Sequence, residues 1–224
     1  MSMENEGDAL RELYDARFAG EKEKKNSMWK ILCRYWFDDY VRKDDIVADV
    51  AAGYCEFINN INAKEKIAID LNPDVARYAD KDVKTIVSSI SEITDRVPPH
   101  SIDVFFVSNF LEHLNSKDEI IKLFSDLKTL LRDRGRIMIL QPNIKYVGGE
   151  YWDFIDHKMP LTEKALYELA EMNGMKVTKC VTKFLPYTTK SRLPKADWLI
   201  ALYLKMIPVS GWFFGKQTFM VMEK

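Results

Sequence analysis

Paired cysteines, histidines and long apolar runs are what this chain has least of. Its three cysteines, Cys33, Cys55 and Cys180, stand without paired spacing. That points away from a disulfide framework and toward a reducing compartment, so a cytoplasmic location is expected. No Cys-x-x-Cys or His-x-x-x-His pattern occurs, and no metal ligands are expected. The longest wholly apolar run, Trp198 to Leu204, is far too short to span a bilayer. The first residues are polar and acidic, unlike a secretory leader. Net charge is only −1, so global charge predicts no polyanionic partner. The charge is unevenly placed, however. From Lys176 to Lys224 nine Lys/Arg face two acids, a local +7 that leaves −8 on the remainder. A solvated basic face, an anionic substrate or a peripheral membrane contact would each use such an end.

What is present is a regular alternation. With 224 residues and 47 % apolar content, the chain is expected to form a single domain. It divides into an N-terminal helical extension (1–42), a core (43–184), an insertion (185–216) and a final strand (217–224). Met28–Val41 carries Ile31, Leu32, Tyr35, Trp36 and Val41 on a helical stripe. Strands are expected at Ile46–Val50, Lys66–Asp70, Thr85–Ser88, Ile102–Val107, Arg136–Leu140, Lys176–Phe184 and Gln217–Met222. Helices are expected at Cys55–Ile61, Pro73–Tyr78, Ser116–Leu131 and Glu163–Asn173. Ser116 and Thr162 are in capping positions, and Gly174 is a stop. The insertion holds a helix near Lys195–Ile207, then a turn region rich in aromatics from Pro208 to Gly215. Strand–helix alternation of this kind predicts a doubly wound, mostly parallel α/β sheet.

One segment carries more than architecture. Val47-Ala48-Asp49-Val50 leads into the small-residue turn Ala51-Ala52-Gly53-Tyr54-Cys55, and Ala68-Ile69-Asp70-Leu71 ends the next strand. Small residues let backbone amides approach a ligand at a helix start. A carboxylate at the tip of the next strand can take two ribose hydroxyls. This sequence resembles the class I S-adenosylmethionine-dependent methyltransferases, of the methyltransferase type 11 kind, whose turn reads Asp-x-Gly-x-Gly-x-Gly. Its three glycine positions hold Ala51, Gly53 and Cys55 here. The resemblance implies a Rossmann-like seven-stranded sheet with the last strand antiparallel, and S-adenosylmethionine as cofactor. It assigns cofactor contacts to Asp49, Ala51, Gly53, Asp70, Leu71, Ser89 and Asn109.

The loops after strands four and five are the candidate acceptor side. Asn109-Phe110-Leu111-Glu112-His113-Leu114 resembles a loop of small-molecule methyltransferases. Gln141-Pro142-Asn143 and the polar, aromatic stretch Gly148–His157 lie beyond strand five. His113 or His157 is the candidate general base, since imidazole takes protons near neutral pH. Asn143, Tyr146, Tyr151, Trp152, Lys190 and Arg192 are candidate substrate ligands. Several of these stretches are similar to a bacterial methyltransferase subgroup associated with cell-surface glycan gene clusters. The resemblance thus implies O-methylation of a small molecule or glycan. A non-catalytic cofactor-binding relative, and transfer to nitrogen or nucleic acid, are the alternatives. The absence of an Asn/Asp-Pro-Pro-aromatic stretch after strand four disfavours the last two. A nicotinamide dehydrogenase would require Gly-x-Gly-x-x-Gly, which is missing. The oligomeric state is not legible.

Overall fold

The structure, a computed structural model, describes residues 22–187, 196–207 and 209–224. Its sheet contains β1 (Ile46–Val50), β2 (Glu65–Asp70), β3 (Val83–Val87), β4 (Ile102–Ser108), β5 (Leu131–Pro142), β6 (Lys176–Val181) and β7 (Gln217–Glu223). The strand order is β3-β2-β1-β4-β5-β7-β6. β1 to β5 pair in parallel, and β7 is antiparallel to both of its neighbours. The expected doubly wound sheet with an antiparallel last strand is what forms. Order reverses between β1 and β4, and ligands of open α/β sheets bind at the carboxyl ends of strands beside such a reversal.

Period-two alternation splits the buried strand residues between two apolar layers. Ala48, Val50, Phe105, Val107, Ile137 and Ile139 face one layer. Val47, Ala68, Val104, Phe106, Met138 and Leu140 face the other. Strands covered on both faces read as continuous apolar runs, which is why β4 was plain in the sequence. The helices Lys117–Leu130 and Glu163–Met172 supply the first layer through Leu123, Phe124, Leu127, Leu166 and Leu169. Each starts at an expected cap: Ser116 Oγ accepts from the Glu119 amide and Thr162 Oγ1 from Ala165. The second layer is aromatic, with Phe57 stacked on Phe106 at 3.8 Å between centroids and Phe37 at 5.3 Å from Phe106.

The N-terminal helix, Lys22–Tyr35, lies earlier than the sequence stripe suggested. Ile31 and Leu32 are buried, whereas Tyr35 is on the outside. Trp36 and Val41 follow the helix and still pack on the second layer. β5 begins at Leu131, five residues before its expected start, because Leu131 already pairs with Ile102 across an irregularity. Arg134 there takes a φ of +60°. The insertion forms the expected helix, as Asp197–Lys205. The stretch after it, read as a turn, is instead the short helix Val209–Phe214. Two glycines explain its placement. A side chain at Gly211 or Gly215 would collide with the Lys183 backbone carbonyl, so the helix lies directly on the chain leaving β6. Tyr203 OH also donates to Phe184 O at 2.7 Å. No helix among the described residues is long and apolar enough to cross a membrane.

Candidate active site

The turn after β1 is held by its neighbour strand. Ala52 N donates to Ile69 O at 3.1 Å, and Asp70 Oδ2 accepts from Gly53 N at 2.8 Å. Asp70 Oδ1 takes the Asn72 amide at 2.8 Å. Ala51, Gly53 and Cys55 have φ of +57°, +53° and +61°. The three positions at which the methyltransferase turn carries glycine are therefore the three left-handed positions of this turn. Two of them are occupied by residues for which that region costs roughly 1–2 kcal/mol each. Cys55 offsets part of this by burying its side chain completely.

The surroundings fit a cationic nucleoside cofactor. A Cβ on Gly53 would touch nothing within 4 Å among the described residues, which leaves open space above the turn. Asp49 is only 4 % exposed, and burial pushes its carboxyl well up, with Glu56 and Asp70 adding repulsion. Burial raises Asp70 as well, against the amides of Asn72, Gly53 and Leu71 that favour its charge. Three carboxylates crowd one small turn, and the sulfonium and ammonium charges of S-adenosylmethionine would complement them. Next to Asp70 in the chain, Leu71 is 55 % exposed, and Val87, which pairs with Asp70 on β3, is 46 % exposed. Two exposed apolar side chains at adjacent strand tips suit the face of a purine. Ser89 Oγ lies 2.8 Å from Ser91 Oγ. Asn109, at φ +47°, sits at the tip of β4, with its amide on Leu140 O at 2.8 Å.

Beyond β4 the chain makes a short 3-10 turn, Leu111–His113. The loop after β5 folds back onto it: the amides of Lys158 and Met159 both donate to Glu112 O, at 2.7 and 3.1 Å. This brings together the two histidines that sequence singled out, with ring centroids 5.1 Å apart. Asp156, adjacent to His157 in sequence, reaches the distant His113. Its Oδ2 lies 3.1 Å from His113 Nδ1. His157 Nδ1 is 3.0 Å from Tyr151 O and 3.3 Å from the Tyr187 hydroxyl. Behind the pair, Glu112 is 2 % exposed and its Oε2 has no partner within the described protein. Burial pushes its carboxyl up to about 8; its own amide and Gln141 oppose that, and Asp156 adds to it. Gln141 lies beside it, although neither of its amide atoms completes a hydrogen bond among the described residues.

The other acceptor-side expectations divide. Trp152 is exposed and Tyr146 half-buried at the rim, where Lys183 Nζ lies 5.0 Å over the Tyr146 ring. Tyr151 is not a stacking platform: its ring is fully buried and its hydroxyl donates to Met159 O. Asn143 is likewise spent on the fold. Its amide donates to Glu163 Oε2 and Thr218 Oγ1, and its Oδ1 caps a helical turn at Lys145 N. Lys190 and Arg192 lie outside the described residues. Sequence reasoning missed Glu112, Gln141 and Tyr187 as members of the site. For Glu112 a signal existed: an acid beside Phe110 and Leu111, where burial was to be expected.

Residues 48–139 match the family model described as a methyltransferase domain. No curated protein matches the sequence. Among solved structures, the chain is similar to a SAM-dependent methyltransferase of Archaeoglobus fulgidus, with 20 % identity and a TM-score of 0.66 over 95 % of this chain and 98 % of that one. It is also similar to an S-adenosylmethionine-dependent methyltransferase of Mesorhizobium loti, with 10 % identity and a TM-score of 0.58 over 83 % and 94 %. At such identities the structures speak for the fold, and the matched domain speaks for the chemistry. Residues 48–139 thus form a methyltransferase domain, set in a fold shared with S-adenosylmethionine-dependent methyltransferases, and S-adenosylmethionine is the cofactor that this domain and fold imply.

Proposed function

We propose that the enzyme methylates a hydroxyl oxygen of a small molecule or sugar-containing acceptor. The observation that carries this reading is the His113–Asp156 pair at the junction of the β4 and β5 loops. A neutral amine can attack a methyl group through its own lone pair. A hydroxyl is a poor nucleophile until its proton is taken, and a carboxylate-backed imidazole is built to take it. Bound S-adenosylmethionine supplies the electrophilic methyl and leaves as a neutral thioether, so no acid is required for the leaving group.

The chain's own contribution is then positioning and one proton. Asp70 would accept the ribose hydroxyls while its other contacts hold the turn, and Asp49 would face the methionine portion. Ala51, Gly53 and Asn109 shape the backbone around it, Leu71 lies against the purine, and Ser89 flanks the base. On the acceptor side, His113 takes the hydroxyl proton and Asp156 stabilises the imidazolium that results. His157, T-shaped against His113, orients the acceptor or takes the proton in its place. Trp152 offers an exposed ring for a sugar face, which supports the glycan reading, as does the resemblance in sequence. Lys190 and Arg192 would meet anionic groups on such an acceptor. The chain is read as a single domain, and a nucleic-acid acceptor is disfavoured by the sequence after β4.

The test is calorimetric titration with S-adenosylhomocysteine, followed by methyl transfer to a panel of sugars, phenols and amines. Micromolar binding that is lost in Asp70→Ala, with methyl groups found on oxygen, is expected. Methylation of amines alone would overturn the oxygen reading, and binding without turnover on any class would favour a non-catalytic role.

A further inference from the structure

We infer that Glu112, His113 and His157 form a binding site for one divalent transition-metal ion of the zinc class. One ring nitrogen from each histidine and a carboxylate oxygen of Glu112 lie within 4.8 Å of one another. Bound to zinc, such atoms would stand roughly 3.4 Å apart, on bonds of about 2.0–2.2 Å. Closing from 4.8 Å to that spacing is a movement of roughly 1 Å, of the size that side-chain rotation supplies.

The surroundings of the cluster are those of a metal site. His113 Nδ1 faces the carboxylate of Asp156 at 3.1 Å, and His157 Nδ1 faces the carbonyl of Tyr151 at 3.0 Å. These acceptors favour a proton on Nδ1 and a lone pair on Nε2 of each neutral ring, and the Tyr187 hydroxyl, 3.3 Å from His157 Nδ1, can accept from the same proton. A carboxylate or carbonyl behind each imidazole is the arrangement that fixes a metal-ligating tautomer. Glu112 adds the independent observation. It is almost wholly buried, and its Oε2 finds no partner among the described residues. A buried carboxyl without a protein partner is held neutral by a proton or compensated by a cation, and a metal ion here would displace that proton. The two ligand-bearing segments are also clamped together, through the Lys158 and Met159 amides on Glu112 O. Two imidazoles and one carboxylate suit zinc and its neighbours better than magnesium or calcium, and leave a coordination position open for an oxygen.

The role of the ion, unlike its binding, rests on the hydroxyl reading above. A metal at this site would make His113 a ligand rather than a base, and would lower the acidity barrier of the acceptor hydroxyl in its stead.

The experiment is titration of the untagged, chelator-treated full chain with zinc chloride, with S-adenosylhomocysteine titrated in parallel. One equivalent of zinc is expected to bind at micromolar affinity or better. Glu112→Gln and His157→Gln should each weaken it by about tenfold or more, while leaving S-adenosylhomocysteine affinity unchanged. His100→Gln, at the opposite end of the sheet beside Leu131, should change neither. Absence of zinc binding, equal binding in the variants, or loss in His100→Gln would overturn the site. Should Glu112→Gln fail to fold, the half-buried His157 still decides. S-adenosylhomocysteine binding without zinc binding removes the ion and leaves His113 as base. Zinc binding without methyl transfer to any hydroxyl does the reverse.

Discussion

The turn around β1 and the loops beyond β4 and β5 solve the same problem in opposite ways. Both must hold polar groups at the carboxyl ends of parallel strands. On the cofactor side the work is done by backbone: three left-handed residues, one carboxylate and a few amides within twenty residues of chain. On the acceptor side it is done by side chains gathered from afar, Asp156 to His113 across 43 positions and Tyr187 to His157 across 30. A backbone-built site tolerates few residue types at each position. A side-chain-built site tolerates many, so it can change substrate without changing fold.

The two sides should therefore fail separately. The largest effect is expected at His113→Gln, with turnover down about a hundredfold or more and S-adenosylhomocysteine affinity unchanged, by kinetics and calorimetry. His157→Gln should cut turnover by about tenfold or more, again sparing the cofactor. Asp70→Ala should show the converse, a fall in cofactor affinity of roughly ten- to a hundredfold from loss of charged hydrogen bonds. Loss of cofactor affinity in both histidine variants would mean the two sides are one site.

A second test acts through the insertion. Gly211→Ala forces a methyl into the Lys183 carbonyl, and the helix must lift or the strand shift. Overpacking of this kind costs about 1–3 kcal/mol, readable as a lower urea midpoint. Because the strain falls at the β6–β7 edge, cofactor affinity should stay within about twofold. The outer face of this helix, with Trp212 and Phe213 exposed, would move with it. Acceptor turnover should fall if the insertion covers the site.

This division explains what could be read from the chain. The sheet was legible because doubly covered strands such as Ile102–Ser108 are continuous apolar runs, and because Ser116 and Thr162 announce helix starts. The cofactor turn was legible because left-handed backbone selects small residues locally. The histidines were legible as residue types, but their partners were not. Nothing in the sequence says that Asp156 will turn from His157 to His113, or that Tyr151 will bury its ring while Trp152 stays out. The short helix Val209–Phe214 was missed because its position is set by Gly211 and Gly215 on Lys183, a contact between segments far apart in sequence. Its composition, Trp-Phe-Phe beside Pro and Gly, reads as a turn.

The smallest effect sharpens the comparison most. Ala51 sits at φ +57° and is half-buried. Glycine there would relieve roughly 1–2 kcal/mol of left-handed strain, set against about 0.5–1 kcal/mol of added chain entropy in the unfolded state. A net gain of about 0.5–1 kcal/mol is expected for Ala51→Gly, seen as a slightly higher urea midpoint. Cys55→Gly relieves the same strain, but it also exposes a cavity where a fully buried thiol packed near Val75 O. The lost burial is of similar size, so its net change should lie near zero. A gain at position 51 and none at 55 would show that the replaced glycines are tolerated for different reasons. At 51 the cost is simply carried, with Asp70 and Ile69 pinning the turn; at 55 the side chain compensates its own backbone. Equal gains at both positions would mean that Cys55 contributes nothing to the core, and that the turn is held by Asp70 and Ile69 alone.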